Sequence, residues 1–191
     1  MRTTTVNVVR LELGNMKERY ALGSIILHWA MVILILALIG LGWYMVGIPR
    51  GTPPRAYFFN LHKSIGLMSG VFIALFIGWR LRYVPPPHPD TMARWEMKLA
   101  VLAHRLIYFF LILVLVSGYV EANFTQYGIK FFGYPLPPWG PNDKRIDTVL
   151  VNVHDYSADA FAVLIAIHVG AAIKHFLVNR DRILQRMLPF G

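Results

Sequence analysis

The sequence predicts an all-α integral membrane protein, a four-helix bundle running up-down-up-down with both termini in the cytoplasm. Three observations predict it. Of 191 residues, 56% are hydrophobic and 15% charged, whereas a water-soluble domain carries about a quarter charged residues. Four apolar stretches are long enough to cross a bilayer, which takes about 20 residues each. The basic residues gather in alternate connections between those stretches. A net charge of +9 can signal nucleic acid, but basic residues set between long apolar runs indicate a membrane, and no nucleic-acid partner is expected. The length fits one domain. With no cysteine there is no disulfide, thiolate ligand, iron–sulfur cluster or CxxCH haem attachment. Any metal is therefore held by nitrogen, oxygen or thioether sulfur.

The elements follow in order. Residues 1–20 form a polar N-terminal cytoplasmic segment, to which no role is assigned, and 21–180 the membrane domain. Span one, about 21–47, lies in a run without charge from Ala21 to Pro49. That run far exceeds the ~7–15 residues of a signal-peptide core, and Trp43 and Tyr44 suit a membrane interface. Span two, about 57–79, ends in Arg80 and Arg82. A short Pro-rich loop then leads to span three, about 99–120. Glu121–Asn152 is expected to be a long polar connection with aromatic and Pro-rich pieces, before span four at about 153–178. Residues 181–191 make a cytoplasmic tail.

Positive charge sets the orientation. Of 19 Lys and Arg residues, only Arg50, Arg55, Lys63, Lys130, Lys144 and Arg145 fall on the side of the first and third connections. The rest fall with the termini and the second connection, which are therefore cytoplasmic.

Histidines can now be placed by depth. His28 lies early in span one, toward the cytoplasm, and His62 early in span two, toward the outside. His104 opens span three inside, and His154 opens span four outside. His168 comes fourteen residues after His154, about 21 Å along a helix and nearly four whole turns. The two project from nearly the same face, and His168 returns to the depth of His28. The pairs His62/His154 outside and His28/His168 inside are what two bis-histidine haems require, each flat macrocycle slotted between helices. A single intramembrane histidine is more often a hydrogen-bonded helix contact, but ionisable groups inside spans are costly, and four at two matched depths is a functional pattern. A zinc or copper site is the competing reading, yet such sites gather their ligands at one level. Phe161 sits on the histidine face between the levels. Ala158, Gly170, Ala171 and Ala172 make room beside the sites, while Gly66 and Gly70 serve either macrocycle clearance or a helix interface. His88, among prolines, reads as solvated, and the scattered methionines as packing.

At LHW in span one, LHKSIG in span two, LAHRLIYFFLILVLVSGY in span three and HDYSADAFAVLIAIHVGAAIKHF in span four, the chain resembles the bacterial cytochrome b561 family of four-helix dihaem b cytochromes. The resemblance covers nearly everything after the first eighteen residues. It implies two haems b ligated by His28, His62, His154 and His168, and location in the bacterial inner membrane. It further implies electron transfer from a periplasmic donor, superoxide or a redox protein, to a quinone such as ubiquinone. The haem propionates need cationic partners, for which Arg80, Arg105 and Lys174 inside and Lys63 outside are candidates. Quinone reduction consumes protons, and histidine titrates near neutrality, so His104 and His175 are the candidate quinone-site residues. Lys63, Lys130, Lys144 and Arg145 are the candidate cations for steering an anionic donor, although Asp143, Asp147, Asp155 and Asp159 share that side. Two alternatives stand beside this reading: a haem b anchor subunit relaying electrons from a periplasmic dehydrogenase or hydrogenase, and a histidine-bearing transporter. Lipid is a partner in all three.

Overall fold

A computed structural model describes residues 19–87 and 92–189. The segment 1–18 and His88 lie outside the described residues. The four expected spans are helices: α1 Leu22–Val46, α2 Pro53–Arg82, α3 Arg94–Asn123 and α4 Lys144–Lys174. All four are long and apolar enough to cross a membrane. Ile33, Leu36, Val71, Phe109 and Val163 are exposed on the outside of the bundle, the arrangement expected where lipid is the solvent.

The helices pack as two close hairpins, α1 with α2 and α3 with α4, joined through an α2–α3 contact. Glycine permits close approach in the first hairpin. A Cβ at Gly23 would lie 2.3 Å from the Trp79 ring, whose Nε1 donates to Ser24 Oγ at 3.0 Å. Buried hydroxyls satisfy themselves within the helices, as a medium without water demands. Ser69 donates to the Ile65 carbonyl at 2.8 Å, Ser117 to that of Leu113 at 2.7 Å, and Ser157 to that of Val153. Halfway along the bundle, one side chain from each helix meets in the core: Met31, Ile73, Leu111 and Phe161. Phe161 is 3% exposed, between the two histidine depths as expected.

The helices outrun the expected spans, because hydropathy marks only the part that crosses hydrocarbon. The largest correction concerns Glu121–Asn152. In place of one long polar connection, α3 continues to Asn123, an antiparallel hairpin follows, and α4 begins at Lys144. Strands β1 Ile129–Phe131 and β2 Tyr134–Leu136 are joined by Phe132 and Gly133, both with positive φ (46° and 96°). That pair of left-handed residues makes the tight turn suited to strand twist, with glycine at its second position. Asp143 caps α4, its Oδ1 accepting from the amides of Arg145 (2.8 Å) and Ile146 (3.3 Å). His154 therefore stands ten residues inside α4 and does not open it.

At the other end, α4 passes into a π-helical turn, His175–Asn179, and the chain then folds back. Trp29 Nε1 donates to the Met187 carbonyl at 2.7 Å, Arg19 to that of Leu188 at 2.9 Å, and Arg186 to that of Pro87 at 2.9 Å. These bonds strap the tail across the end of the bundle that carries both termini.

Candidate functional site

The hairpin end holds the first histidine pair. His62 of α2 and His154 of α4 face each other across the two helical hairpins, ring centres 6.2 Å apart and planes at 83°. Glycine makes the room for the His154 ring, while at Gly42 a Cβ would only touch the His62 ring. A Cβ at Gly118 of α3 would lie 2.7 Å from His154 Nδ1, and one at Gly42 of α1 would lie 3.6 Å from His62 Cε1. His154 Nδ1 is 2.8 Å from the Val114 carbonyl. A carbonyl only accepts, so Nδ1 carries the proton and Nε2 keeps its lone pair. His62 Nδ1 is buried and has no hydrogen-bond partner among the described residues. A buried polar atom left unpaired costs about 1–3 kcal/mol.

The β-hairpin closes over this pair. Ser64, almost wholly buried on α2, shares its hydroxyl proton between the Asn60 carbonyl at 2.8 Å and the Lys130 carbonyl at 2.9 Å, and accepts from the Phe132 amide at 2.9 Å. Lys63 donates to the Gly128 carbonyl at 3.1 Å and stands in electrostatic reach of Glu121 and Asp147. Of the expected steering cations, Lys144 is paired with Asp147 at 2.7 Å, while Arg145 is exposed.

The tail end holds the second group. His168 of α4 and His104 of α3 have ring centres 5.1 Å apart, planes at 79°. His28 of α1 lies in electrostatic reach of His168, His104 and Arg80. His104 Nδ1 donates to the Ala100 carbonyl at 2.7 Å. Arg80 sits over the Tyr20 ring (5.4 Å) and the Phe76 ring (6.0 Å). Lys174 is engaged by Glu96 and lies 5.5 Å from the centre of the Trp95 ring, and Arg105 is exposed on α3. His175 is turned into the tail, its Nδ1 2.6 Å from Asp181 Oδ2. Among the described residues no three His, Asp or Glu side chains converge as a metal cluster; the imidazoles are arranged at two levels.

Four participants escaped the sequence reading. Gly118 seats the His154 ring, Gly42 lies beside the His62 ring, Ser64 anchors the β-hairpin, and Asp181 pairs with His175. The sequence carried a signal for the glycines, since each interrupts an apolar span (GLGW and VSGY). Nothing in the sequence marks Asp181, which comes near His175 only through the π turn. Gly66 and Gly70 make no tight helix contact, since a Cβ at either meets nothing within 4 Å.

A bundle that turns its apolar side outward and arranges imidazoles at two levels inside defines a class: a multi-pass membrane protein built around histidines. The model of the prokaryotic cytochrome b561 family matches residues 19–190, and the chain belongs to that family. It is 25% identical over 176 residues to cytochrome b561 homolog 1 of Escherichia coli strain K12, covering 90% of this chain and 98% of that protein. It is 30% identical over 178 residues to cytochrome b561 homolog 2 of the same strain, covering 91% and 93%. Against a probable superoxide oxidase, CybB, of Yersinia pestis, identity is 27% over 177 residues, covering 91% and 98%. Family membership makes this a bacterial membrane protein that binds haem b and serves electron transport.

The His62/His154 pair fits such a group. A metal–imidazole bond is about 2 Å, which puts two rings in line on one ion about 6 Å apart, centre to centre, and His62 and His154 stand at 6.2 Å. The bond from His154 Nδ1 to a carbonyl is the usual way a ligating imidazole is held in one tautomer and orientation. Gly118 lets the His154 ring lie close against α3 in that position.

Proposed function

We propose that this protein is a dihaem b cytochrome of the bacterial inner membrane, with both termini cytoplasmic, that passes electrons from superoxide at the periplasmic face to ubiquinone at the cytoplasmic face. The observation that carries the reading is the His62/His154 pair, spaced for one shared ion with one tautomer fixed by Val114. His168, fourteen residues further along the same helix, supplies the second level. Its ring is only 5.1 Å from His104, closer than two rings in line on one ion can stand. That spacing supports His28 as the second inner ligand, with His104 as a neighbour.

When bound, haem b at each level supplies a one-electron couple. The chain's own residues do the rest. His62 and His154 would hold the outer group, with Lys63 in electrostatic reach; His28 and His168 would hold the inner one, with Arg80 in electrostatic reach of His28. The core layer around Phe161 excludes water between the levels. His104 and His175, at the cytoplasmic end, hold and release protons for the quinone. In the overall balance, two superoxide anions give up one electron each and leave as dioxygen, while one quinone gains two electrons and two protons. The superoxide assignment draws on the likeness to the probable superoxide oxidase of Y. pestis.

The test uses the purified haem-loaded protein. Superoxide generated in solution is expected to reduce the haem within the mixing time, and added ubiquinone to reoxidise it. Haem that superoxide leaves oxidised, in a preparation that retains a stoichiometric periplasmic dehydrogenase, would assign the protein to the anchor class instead.

A further inference from the structure

Beyond α4 the chain builds a part-buried histidine–carboxylate pair. His175 is 7% exposed, its Nδ1 2.6 Å from Asp181 Oδ2, with the Asn179 amide 3.1 Å from the same nitrogen. Two backbone departures bring Asp181 there. The π-helical turn of His175–Asn179 widens the helix end, and Arg180 takes a left-handed conformation at φ 52°. The Asp181 amide then donates to the His175 carbonyl at 3.2 Å, and Asp181 Oδ1 accepts from the Ile183 amide at 3.1 Å. Left-handed backbone at a non-glycine residue is uncommon, and single π turns recur at functional sites. The other charged groups around His175 are Lys174, beside it in the chain, and Glu96 of α3, which are paired with each other; Arg180 and Arg182 flank Asp181.

We propose that Asp181 is a positioning residue for proton delivery to the quinone, holding the His175 ring in one tautomer and one orientation. The inference rests on the quinone-site reading of His175 given above. With Nδ1–H donated to the carboxylate, exchange with a bound molecule falls to Nε2. In the step, the Nε2–H bond breaks and an O–H bond forms on the quinone oxygen. The two electrons come one at a time from the donor side, and His175 regains a proton from cytoplasmic water after each transfer, so that two protons accompany the two electrons. The tail strapped to Trp29 and Arg19 fixes the carboxylate relative to the inner level.

The experiment follows reoxidation of the reduced, haem-loaded protein in nanodiscs by decylubiquinone, across pH, for wild type, Asp181→Asn, Asp181→Glu and His175→Gln. Asp181→Asn is expected to slow reoxidation about ten- to a hundredfold, the scale lost when a histidine's carboxylate partner is removed. Asp181→Glu, which can still accept from Nδ1–H, should restore most of the rate. An Asp181→Asn profile that superimposes on wild type while His175→Gln is slow overturns the inference and leaves the quinone-site reading standing. A His175→Gln protein as fast as wild type overturns both. Should Asp181→Asn fail to assemble, nitrogen NMR of labelled histidine in the wild type decides. The Nδ1–H tautomer at His175 upholds the dyad, and the Nε2–H tautomer overturns it.

Discussion

Gly118 of α3 faces the His154 ring of α4 so closely that a Cβ there would lie 2.7 Å from Nδ1 and 2.8 Å from Cε1. No side chain fits at that separation without moving the ring. Gly118→Val is therefore expected to displace His154 from the Val114 carbonyl and abolish haem binding at the outer level. Haem content per chain should fall by about half, with helix content by circular dichroism unchanged. Overpacking of this kind costs about 1–3 kcal/mol, so the bundle should still assemble.

The two levels are separable by mutation. His62→Ala or His154→Ala should remove one haem, and His28→Ala or His168→Ala the other, each read by redox-difference spectra. His104→Ala should keep both haems and slow quinone reduction, because its ring neighbours His168 at 5.1 Å without being spaced as a second ligand.

Ser64 holds the outer hairpin by a bond to the Lys130 carbonyl and a bond from the Phe132 amide, with almost no exposure to water. Ser64→Ala leaves both backbone groups unpaired, at a cost of about 1–3 kcal/mol. The expected readouts are a lower Tm and faster tryptic cleavage after Lys130. Unchanged cleavage would mean the hairpin is held by other contacts.

Donor steering should depend on salt. If Lys63 and Arg145 guide superoxide, its rate of haem reduction falls as ionic strength rises. Lys144 is already paired with Asp147, so Lys144→Gln should change the rate less than Lys63→Gln does. A rate independent of salt would remove electrostatics from the account.

Much of this was legible in the sequence because membrane physics writes it there. The charge-free run from Ala21 to Pro49 and the fourteen-residue spacing of His154 and His168 follow directly from bilayer thickness and helix pitch. The β-hairpin was missed because its signal is a three-residue strand on either side of Phe132–Gly133, too short for alternation to show. The early start of α4 was missed because Lys144–Asn152 is polar, and only the Asp143 cap marks a helix there. His175 and Asp181 meet through a π turn and a left-handed arginine, neither of which periodicity reveals. The glycine cradles are tertiary facts, since GLGW and VSGY do not say which ring each glycine will face.

The central claim is two levels of histidine ligation, His62 with His154 and His28 with His168. Haem b quantification on the purified chain and its histidine-to-alanine variants tests it most directly. The account predicts two haems per wild-type chain and one after loss of any member of the quartet. A single haem in the wild type, or a His28→Ala protein that keeps two haems while His104→Ala loses one, would contradict it.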